Sequence, residues 1–316
     1  MAQRRRKLLR RMVWYLPAVC LAVVGGFHRV FIARSDQPPG TAGEAVSAVE
    51  PRSERSADGT DSVTLTVMTY NIRHGEGTDD RVDLQRIADA IRDASADIVA
   101  LQEVDRNTRR SERVDQLGEL ARLTGMTGYF GKARRHFAGE YGNGILSRFP
   151  IERVSNTALP GGFARGRRAV LTAKIAIPAP DGGDPLDLYF LSTHLDFAPV
   201  TGPRLESVEK IRGLVGAFGN APCLLAGDMN AQPGGETIEA LQRDWSRAHP
   251  PTALPTYPAE TPVRTIDHVF YRPQDRWTVV DVAVPDSDVA SDHRPVVVKL
   301  VLLPQERSGS GEIGNE

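Results

Sequence analysis

The chain has 316 residues, 41% hydrophobic and 25% charged, a composition and length that allow one large globular domain or two small ones. Its formal charge of −1 hides an asymmetry: residues 1–34 hold eight of the 39 Lys and Arg and no acid, leaving 31 basic against 40 acidic residues, a net of −9, in the remainder. An acidic body argues against a nonspecific grip on nucleic acid, which needs phosphate-neutralising Lys and Arg, and two cysteines (Cys20 and Cys223) exclude a disulfide framework or a thiolate metal site.

At the N-terminus, Arg4-Arg5-Arg6-Lys7 and Arg10-Arg11 precede an uncharged, largely apolar run over 12–27. A basic flank before such a run reads as a signal peptide or signal anchor with its N-terminus inside. The expectation is an uncleaved membrane anchor over 1–34, which places the remainder outside the cytoplasm; secretion after cleavage is the alternative. Residues 35–61 are rich in Pro, Gly, Ser and charge without apolar periodicity, the composition of a flexible linker. Residues 304–316 read as a disordered tail, and 62–303 as a catalytic domain.

Within that domain, 63–69 alternates and is β-branched, hence a strand. Residues 83–94 carry Leu84, Ile87 and Ile91 at helical spacing. A buried strand follows at 97–101, a second helix at 114–124, and strands at 144–147, 169–177 and 186–193. Residues 203–218 read as a helix, 224–226 as a strand and 237–242 as a short helix. Strands at 265–271, 278–284 and 296–302 complete the set. Many strands with a few helices between them imply an α/β domain with mixed sheets. Cys223 reads as a small core residue.

The strands end in polar residues of one chemical kind. In chain order these are Tyr70-Asn71-Ile72-Arg73, Leu101-Gln102-Glu103-Val104-Asp105, Tyr141-Gly142-Asn143, Ser192-Thr193-His194-Leu195, Gly227-Asp228-Met229-Asn230, Ile266-Asp267-His268 and Ser291-Asp292-His293. Carboxylates and histidines at the ends of buried strands are costly unless paired, hydrogen-bonded or metal-bound. Singly, each has a bland reading: Asn71 as a turn former, His194 as a core histidine, Asp228 with Asn230 as an Asx turn, Asp267 and Asp292 as caps. Together, and in this order, they do not.

The pattern resembles the endonuclease/exonuclease/phosphatase superfamily of DNase I-like, metal-dependent phosphoesterases, over roughly 240 residues. That resemblance implies a four-layer α/β sandwich, two mixed β-sheets face to face with helices outside, and an active site where the strand-end loops converge. It implies Mg2+ (or Mn2+) as cofactor, because a divalent cation offsets the charge of a phosphoester and the poor leaving alkoxide. By the same resemblance Glu103 with Asn71 is the principal metal pair, Asp292 completes that side, and Asp228 with Asn230 lies near the attacking water or a second metal. His293 is the expected general base, oriented by Asp267, with Asp228 as the alternative base. His194 would serve the phosphate or leaving oxygen. Tyr141, Asn143 and Arg168 would shape the substrate pocket. Arg204 matches a family position, whereas Ser207 stands where many relatives carry Gln. His268 reads as structural and Asp196 is left open. The other Arg clusters (Arg109-Arg110, Arg134-Arg135) read as solvated faces rather than a nucleic-acid groove, given the net charge of −9; Arg outnumbers Lys 34 to 5 throughout, which lowers the weight of any Arg cluster.

The function expected is hydrolysis of a lipid or small phosphodiester outside the cytoplasm. Its partners are the phosphoester substrate and, through the anchor, the membrane; no protein partner is implied. Alternatives are an extracellular nuclease, a phosphomonoesterase and a catalytically silent module that binds a phosphorylated ligand.

Overall fold

The computed structural model describes residues 53–55, 61–161, 166–249, 254–287 and 289–304. The expected anchor and nearly all of the expected tail lie outside these residues. Among the described residues no helix is long and apolar enough to cross a membrane.

Thirteen strands form two sheets among the described residues. The first contains β2 (Asp61–Asn71), β3 (Ile98–Arg106), β4 (Thr127–His136), β5 (Gly139–Ser147), β12 (Trp277–Ala283) and β13 (Val296–Leu302), in the order β12-β13-β2-β3-β5-β4. The second contains β6 (Ile151–Leu159), β7 (Arg168–Ile177), β8 (Leu186–His194), β9 (Cys223–Asp228), β10 (Ser246–Ala248) and β11 (Asp267–Arg272), in the order β10-β11-β9-β8-β7-β6. Each sheet has one parallel pair at its centre, β2 with β3 and β9 with β8, and antiparallel pairs elsewhere. The two sheets therefore repeat one pattern of strand directions. They meet with β2 against β9, β3 against β8 and β5 against β7.

Alternation explains the layering. In β2, Val63, Leu65 and Val67 face the other sheet, where, with Ile98 of the neighbouring β3, they pack with Phe190 and Leu224. Met68 and Tyr70 face outward, because successive strand side chains take opposite sides. That outer face is covered by α1 (Leu84–Asp93) and α2 (Gln116–Thr124) through Ile87, Ile91, Leu117 and Leu120. Each helix starts where an Asp caps its free N–H groups: Asp83 accepts from Gln85 and Arg86, Asp115 from Gly118. The outer face of the second sheet is covered by α3 (Gly202–Val215) and α4 (Glu236–Leu241) through Val208, Ile211, Val215, Ile238 and Leu241. The result is the four-layer sandwich of two mixed sheets flanked by helices.

Two regions differ from the sequence reading. Strand β1 (Ser53–Arg55) lies within the expected linker and pairs with residues 61–63 of β2. It occupies the flank that β3 leaves open, since β3 pairs with β2 only from Val67 onward. Strands β4, β6 and β10 had no counterpart in the periodicity. All three are sheet edges, where half-exposed, charged side chains replace an apolar face.

Candidate active site

Register brings the polar strand ends into one row at one mouth of the sandwich. In the second sheet Asp267 opens β11 opposite Asp228, and Asp228 closes β9 opposite His194, the last residue of β8. Gly227 is required at this point, because a Cβ there would lie 1.9 Å from the Thr193 carbonyl oxygen. In the first sheet Asn71 closes β2. Beside it β3 breaks register between Leu101 and Val104, and Glu103 takes a left-handed φ of +61°. Such a bulge re-aims a side chain at a site, and here it turns the Glu103 carboxylate into the cleft. Asn230 is likewise held at φ +47°. Non-glycine residues seldom adopt these angles, and when they do they cluster at functional sites.

The cleft at this mouth has a volume of 540 Å³ and is lined by Glu103, Asp228, Asp292, His194, Asn230 and His293 together with Tyr141, Arg168 and several further arginines. Most of the residues singled out in the sequence thus converge. His293 Nδ1 lies 2.9 Å from Asp267 Oδ2, which also accepts the Thr256 hydroxyl at 2.6 Å. Asp267 is 2% exposed and its Oδ2 is already engaged twice, so it is an orienting carboxylate for His293. On the other side His293 Nε2 is 3.9 Å from Asp228 Oδ2. The segment bearing His293 is pinned by the Ser291 hydroxyl, which donates to the Asn71 carbonyl at 2.7 Å. It is pinned again by Ala259 N–H, which donates to the Asp292 carbonyl at 2.8 Å.

His194 Nε2 accepts from Asn230 Nδ2 at 3.0 Å. The same Nδ2 donates to the Leu195 carbonyl at 3.1 Å, which fixes the amide orientation; with Asn230 as the donor to Nε2 the His194 proton is on Nδ1, and Asp228 Oδ2 lies 3.3 Å from the same Nε2. Nδ1 is buried and has no hydrogen-bond partner among the described residues; it stands 4.0 Å from Glu103 Oε1. Burial, reinforced by the charges of Arg168, His293 and Arg134, holds His194 well below the ordinary imidazole pKa, so it is neutral. Burial pushes the Asp228 carboxyl up to about 7, with the Asp267 charge adding and His293 opposing. Burial also disfavours charge on His293, but the Asp267 carboxylate outweighs it and, with Asp228 and Asp292, lifts His293 to about 10.

Some placements differ from the sequence expectation. Asn71 directs its amide nitrogen at Asp228 (3.1 Å) and Glu103 (3.4 Å), while its oxygen accepts the Arg73 N–H at 3.1 Å. In this geometry it is a donor to the acid cluster, not an oxygen ligand. Asn143 is not on the cleft wall. Its amide donates to the Ala169 carbonyl at 2.8 Å and to the Ser192 carbonyl at 3.4 Å, which ties β5 to the facing sheet. Asp196 turns Oδ1 onto the Ala198 N–H at 2.6 Å. His268 is structural, donating to the Ala231 carbonyl at 2.9 Å. Arg110 and Arg134, read as solvated, line the cleft instead, as does Tyr257, whose ring lies 4.8 Å from that of His293. The usable signal for Arg134 was its position across a hairpin from Tyr141; Tyr257 carried none.

The donor set fits a divalent cation. Glu103 and Asp292 are partly exposed to the cleft, and among the described residues the one ion pair of Asp292 with a cationic side chain is the 3.8 Å contact from Arg73. Burial raises the Asp292 carboxyl, and the neighbouring Glu103 charge raises it further while His293 and Arg73 oppose. Carboxylates that crowd together at a solvent-facing cleft suit a hard cation with oxygen ligands. A second grouping, Asp228, Asp267 and His293, brings one ligand atom from each residue within 4.8 Å. Because Asp267 and His293 are spent on each other, the Glu103–Asp292 side is the better cation site, with Asp228 at its border.

Comparison with known proteins decides the relationship. The family model for the Endonuclease/Exonuclease/phosphatase family matches residues 68–293. The chain belongs to this family. It is a family of phosphoester hydrolases, and the DNase I-like fold follows. The uncharacterized protein YbhP of Escherichia coli (strain K12) is 26% identical over 259 residues, covering 78% of this chain and 99% of YbhP. The crystal structure of an endonuclease/exonuclease/phosphatase from Beutenbergia cavernae DSM 12333 is 27% identical, with a TM-score of 0.62 over 76% of this chain and 72% of that one. A mannosyl-6-phosphatase of Bacteroides thetaiotaomicron VPI-5482 shares the fold at 21% identity and a TM-score of 0.57, covering 75% and 99% of the two chains.

Proposed function

We propose that the chain is a divalent-cation-dependent phosphodiesterase that acts on a small or lipid phosphodiester outside the cytoplasm, tethered by its N-terminal apolar segment. The observation that carries the reaction is the Asp267–His293 pair facing Asp228 at 3.9 Å, beside an unspent donor on His194. The location rests on the basic-flanked apolar run of residues 12–27. The extended lipid or small-molecule reading rests on the acidic body.

The residues divide the work. His293, held as a cation by Asp267, supplies charge and a hydrogen bond to the anionic phosphate. Its proton is already secured by Asp267, so Asp228 is the better acceptor for a proton from water, in keeping with the alternative left open by the sequence. Neutral His194 offers Nδ1–H to an oxygen of the phosphate or the leaving group. Asn71 and Asn230 fix the carboxylate and imidazole orientations. A divalent cation held by Glu103 and Asp292 would neutralise phosphate charge and polarise the scissile bond.

The test is a hydrolysis panel of bis-p-nitrophenyl phosphate, p-nitrophenyl phosphate, plasmid DNA, RNA and sphingomyelin vesicles, with Mg2+, Mn2+ or EDTA. Turnover that needs the cation, favours a diester over its monoester and disappears in folded His293→Ala is expected. Turnover that persists in EDTA or in His293→Ala would remove this mechanism, and faster cleavage of the monoester would make the chain a phosphomonoesterase.

A further inference from the structure

Strand order in the two sheets is also the order of side chains along the cleft. In the first sheet β2, β3, β5 and β4 present Asn71, Glu103, Tyr141 and Arg134 in turn. In the second, β9, β8 and β7 present Asp228, His194 and Arg168. Neighbouring strands lie about 4.8 Å apart, so Arg134 stands roughly 10 Å along the sheet from Glu103, and Arg168 about as far from Asp228. The cleft is therefore acidic at one end and cationic at the other. At the backbone the two ends lie about two strand spacings apart, a span that two groups of one small molecule can bridge.

The cationic end is built into the fold. Arg168 is only 6% exposed, and its Nε is buried with no hydrogen-bond partner among the described residues. Arg134 follows a bulge in β4, between Lys132 and Arg134, and its guanidinium lies 4.6 Å over the Tyr141 ring. It also packs on Gly166, where a Cβ would meet Nη1 at 2.7 Å. Asp105, the neighbouring carboxylate, is consumed by Arg110 in a two-point pair at 2.6 and 2.9 Å. Among the described residues neither Arg134 nor Arg168 has an ion-pair partner. A buried guanidinium without a counter-charge is costly, and a ligand anion relieves that cost.

We propose that Arg134 and Arg168, flanking Tyr141, form a second anion subsite that takes a phosphate monoester carried by the substrate one to two strand spacings from the scissile phosphoester. Two planar guanidinia, one stacked on an aromatic ring and one walled in, match the oxygens of a tetrahedral dianion. A substrate whose second group is cationic, such as a choline ester, is repelled by the same pair. The inference rests on the phosphoesterase reading of the acidic end.

Two measurements on the full chain test it. The first is kcat/KM with Mg2+ on two matched pairs: thymidylyl-thymidine with and without a 5′-phosphate, and glycerophosphoinositol with and without a 4-phosphate. A preference of about tenfold or more for the phosphorylated member is expected in one pair, and that pair distinguishes a nucleotide from a polyol source. Arg134→Ala should cut the preference about tenfold, and Arg168→Lys, which keeps charge and bulk at the buried position, should cut it several-fold. The second measurement is calorimetric titration of inorganic phosphate into the metal-free chain in EDTA, where the acidic end repels anions. Binding there should weaken about tenfold in Arg134→Ala. Equal kcat/KM within both pairs, in an enzyme that cleaves the plain diesters, would overturn the subsite. So would phosphate binding that is absent, or indifferent to Arg134→Ala. Absence of all hydrolysis alongside Arg134-dependent phosphate binding would sink the phosphoesterase reading and leave the subsite standing.

Discussion

Acid stability turns on a residue behind the site. His268 is 2% exposed, follows Asp267 on β11 and pairs across to Gly227 of β9. Burial lowers its pKa to about 4; the hydrogen bond to the Ala231 carbonyl opposes the shift and the Arg247 charge adds to it. In the unfolded chain the same imidazole titrates near 6.5. The folded value lies below the unfolded one, so between these limits the unfolded state binds more protons and stability rises with pH. The contribution is complete above about pH 6.5 and is lost as pH falls to about 4, amounting to roughly 3 kcal/mol at ~1.4 kcal/mol per pH unit. For a domain of this size that is a fall in Tm on the order of 10 °C. The perturbation is His268→Gln, whose amide can still donate to Ala231 but cannot acquire charge. Urea unfolding of both proteins at pH 7.5 and pH 4.5 isolates the term, because every other titrating group is common to the two. The wild type should lose about 2.5 kcal/mol more than the variant over this interval. Parallel losses, or an NMR titration of His268 centred near 6.5, would refute the reasoning.

Three further predictions concern the site itself. Mg2+ should raise the Tm of the wild type in a concentration-dependent way by binding the folded state alone. Glu103→Gln should abolish most of that rise and increase the Mg2+ needed for turnover, and an unchanged requirement would remove Glu103 from the cation site. Asp267→Asn should reduce kcat by about 10²–10⁴-fold with little change in KM, because His293 loses the carboxylate that orients and charges it; a near-wild-type kcat would break the pair. Asn143→Ala should cost about 1–3 kcal/mol in chemical denaturation by removing the hydrogen bonds its amide makes between the sheets. If it instead raises KM without loss of stability, Asn143 contacts substrate.

The parts of this chain that could be read from its sequence are those where one force dominates. The central strands β2, β3, β8 and β9 are apolar or alternating because both of their faces are covered, and α1 and α2 begin at Asp caps beside a periodic apolar face. The acidic end of the cleft was legible because its residues lie at or just beyond the apolar runs: Asn71 and Asp228 close β2 and β9, Asp267 opens β11, Glu103 follows the apolar half of β3, and Asp292 precedes β13. Of the edge strands only β12 was legible, since β4 and β6 bear the charges that keep a sheet edge from pairing with another chain. The cationic end was obscured for a related reason. Arg134 lies on one of those edges, in a chain with 34 arginines, and nothing local separates it from Arg135, which is exposed. Thr256 and Tyr257 were invisible because a loop brings them to Asp267 and His293 with no periodicity to announce it.

The site occupies this mouth because of how the two sheets are built. Each has a single parallel pair among its described strands, and the carboxyl ends of both pairs emerge on the same side, face to face. Four strands therefore end around one point, where backbone pairing stops and side chains must satisfy one another. They do so incompletely. Nearly all buried polar atoms in a folded protein find partners, yet among the described residues eight buried side-chain atoms lack one, and three of them, His194 Nδ1, Arg168 Nε and Asp267 Oδ1, lie in or directly behind the cleft. A core selected for stability alone would have paired or removed them. Two are donors on the cleft wall, spread over the neighbouring strands β8 and β7, which is the distribution expected if an extended anionic ligand, rather than a compact one, completes the site.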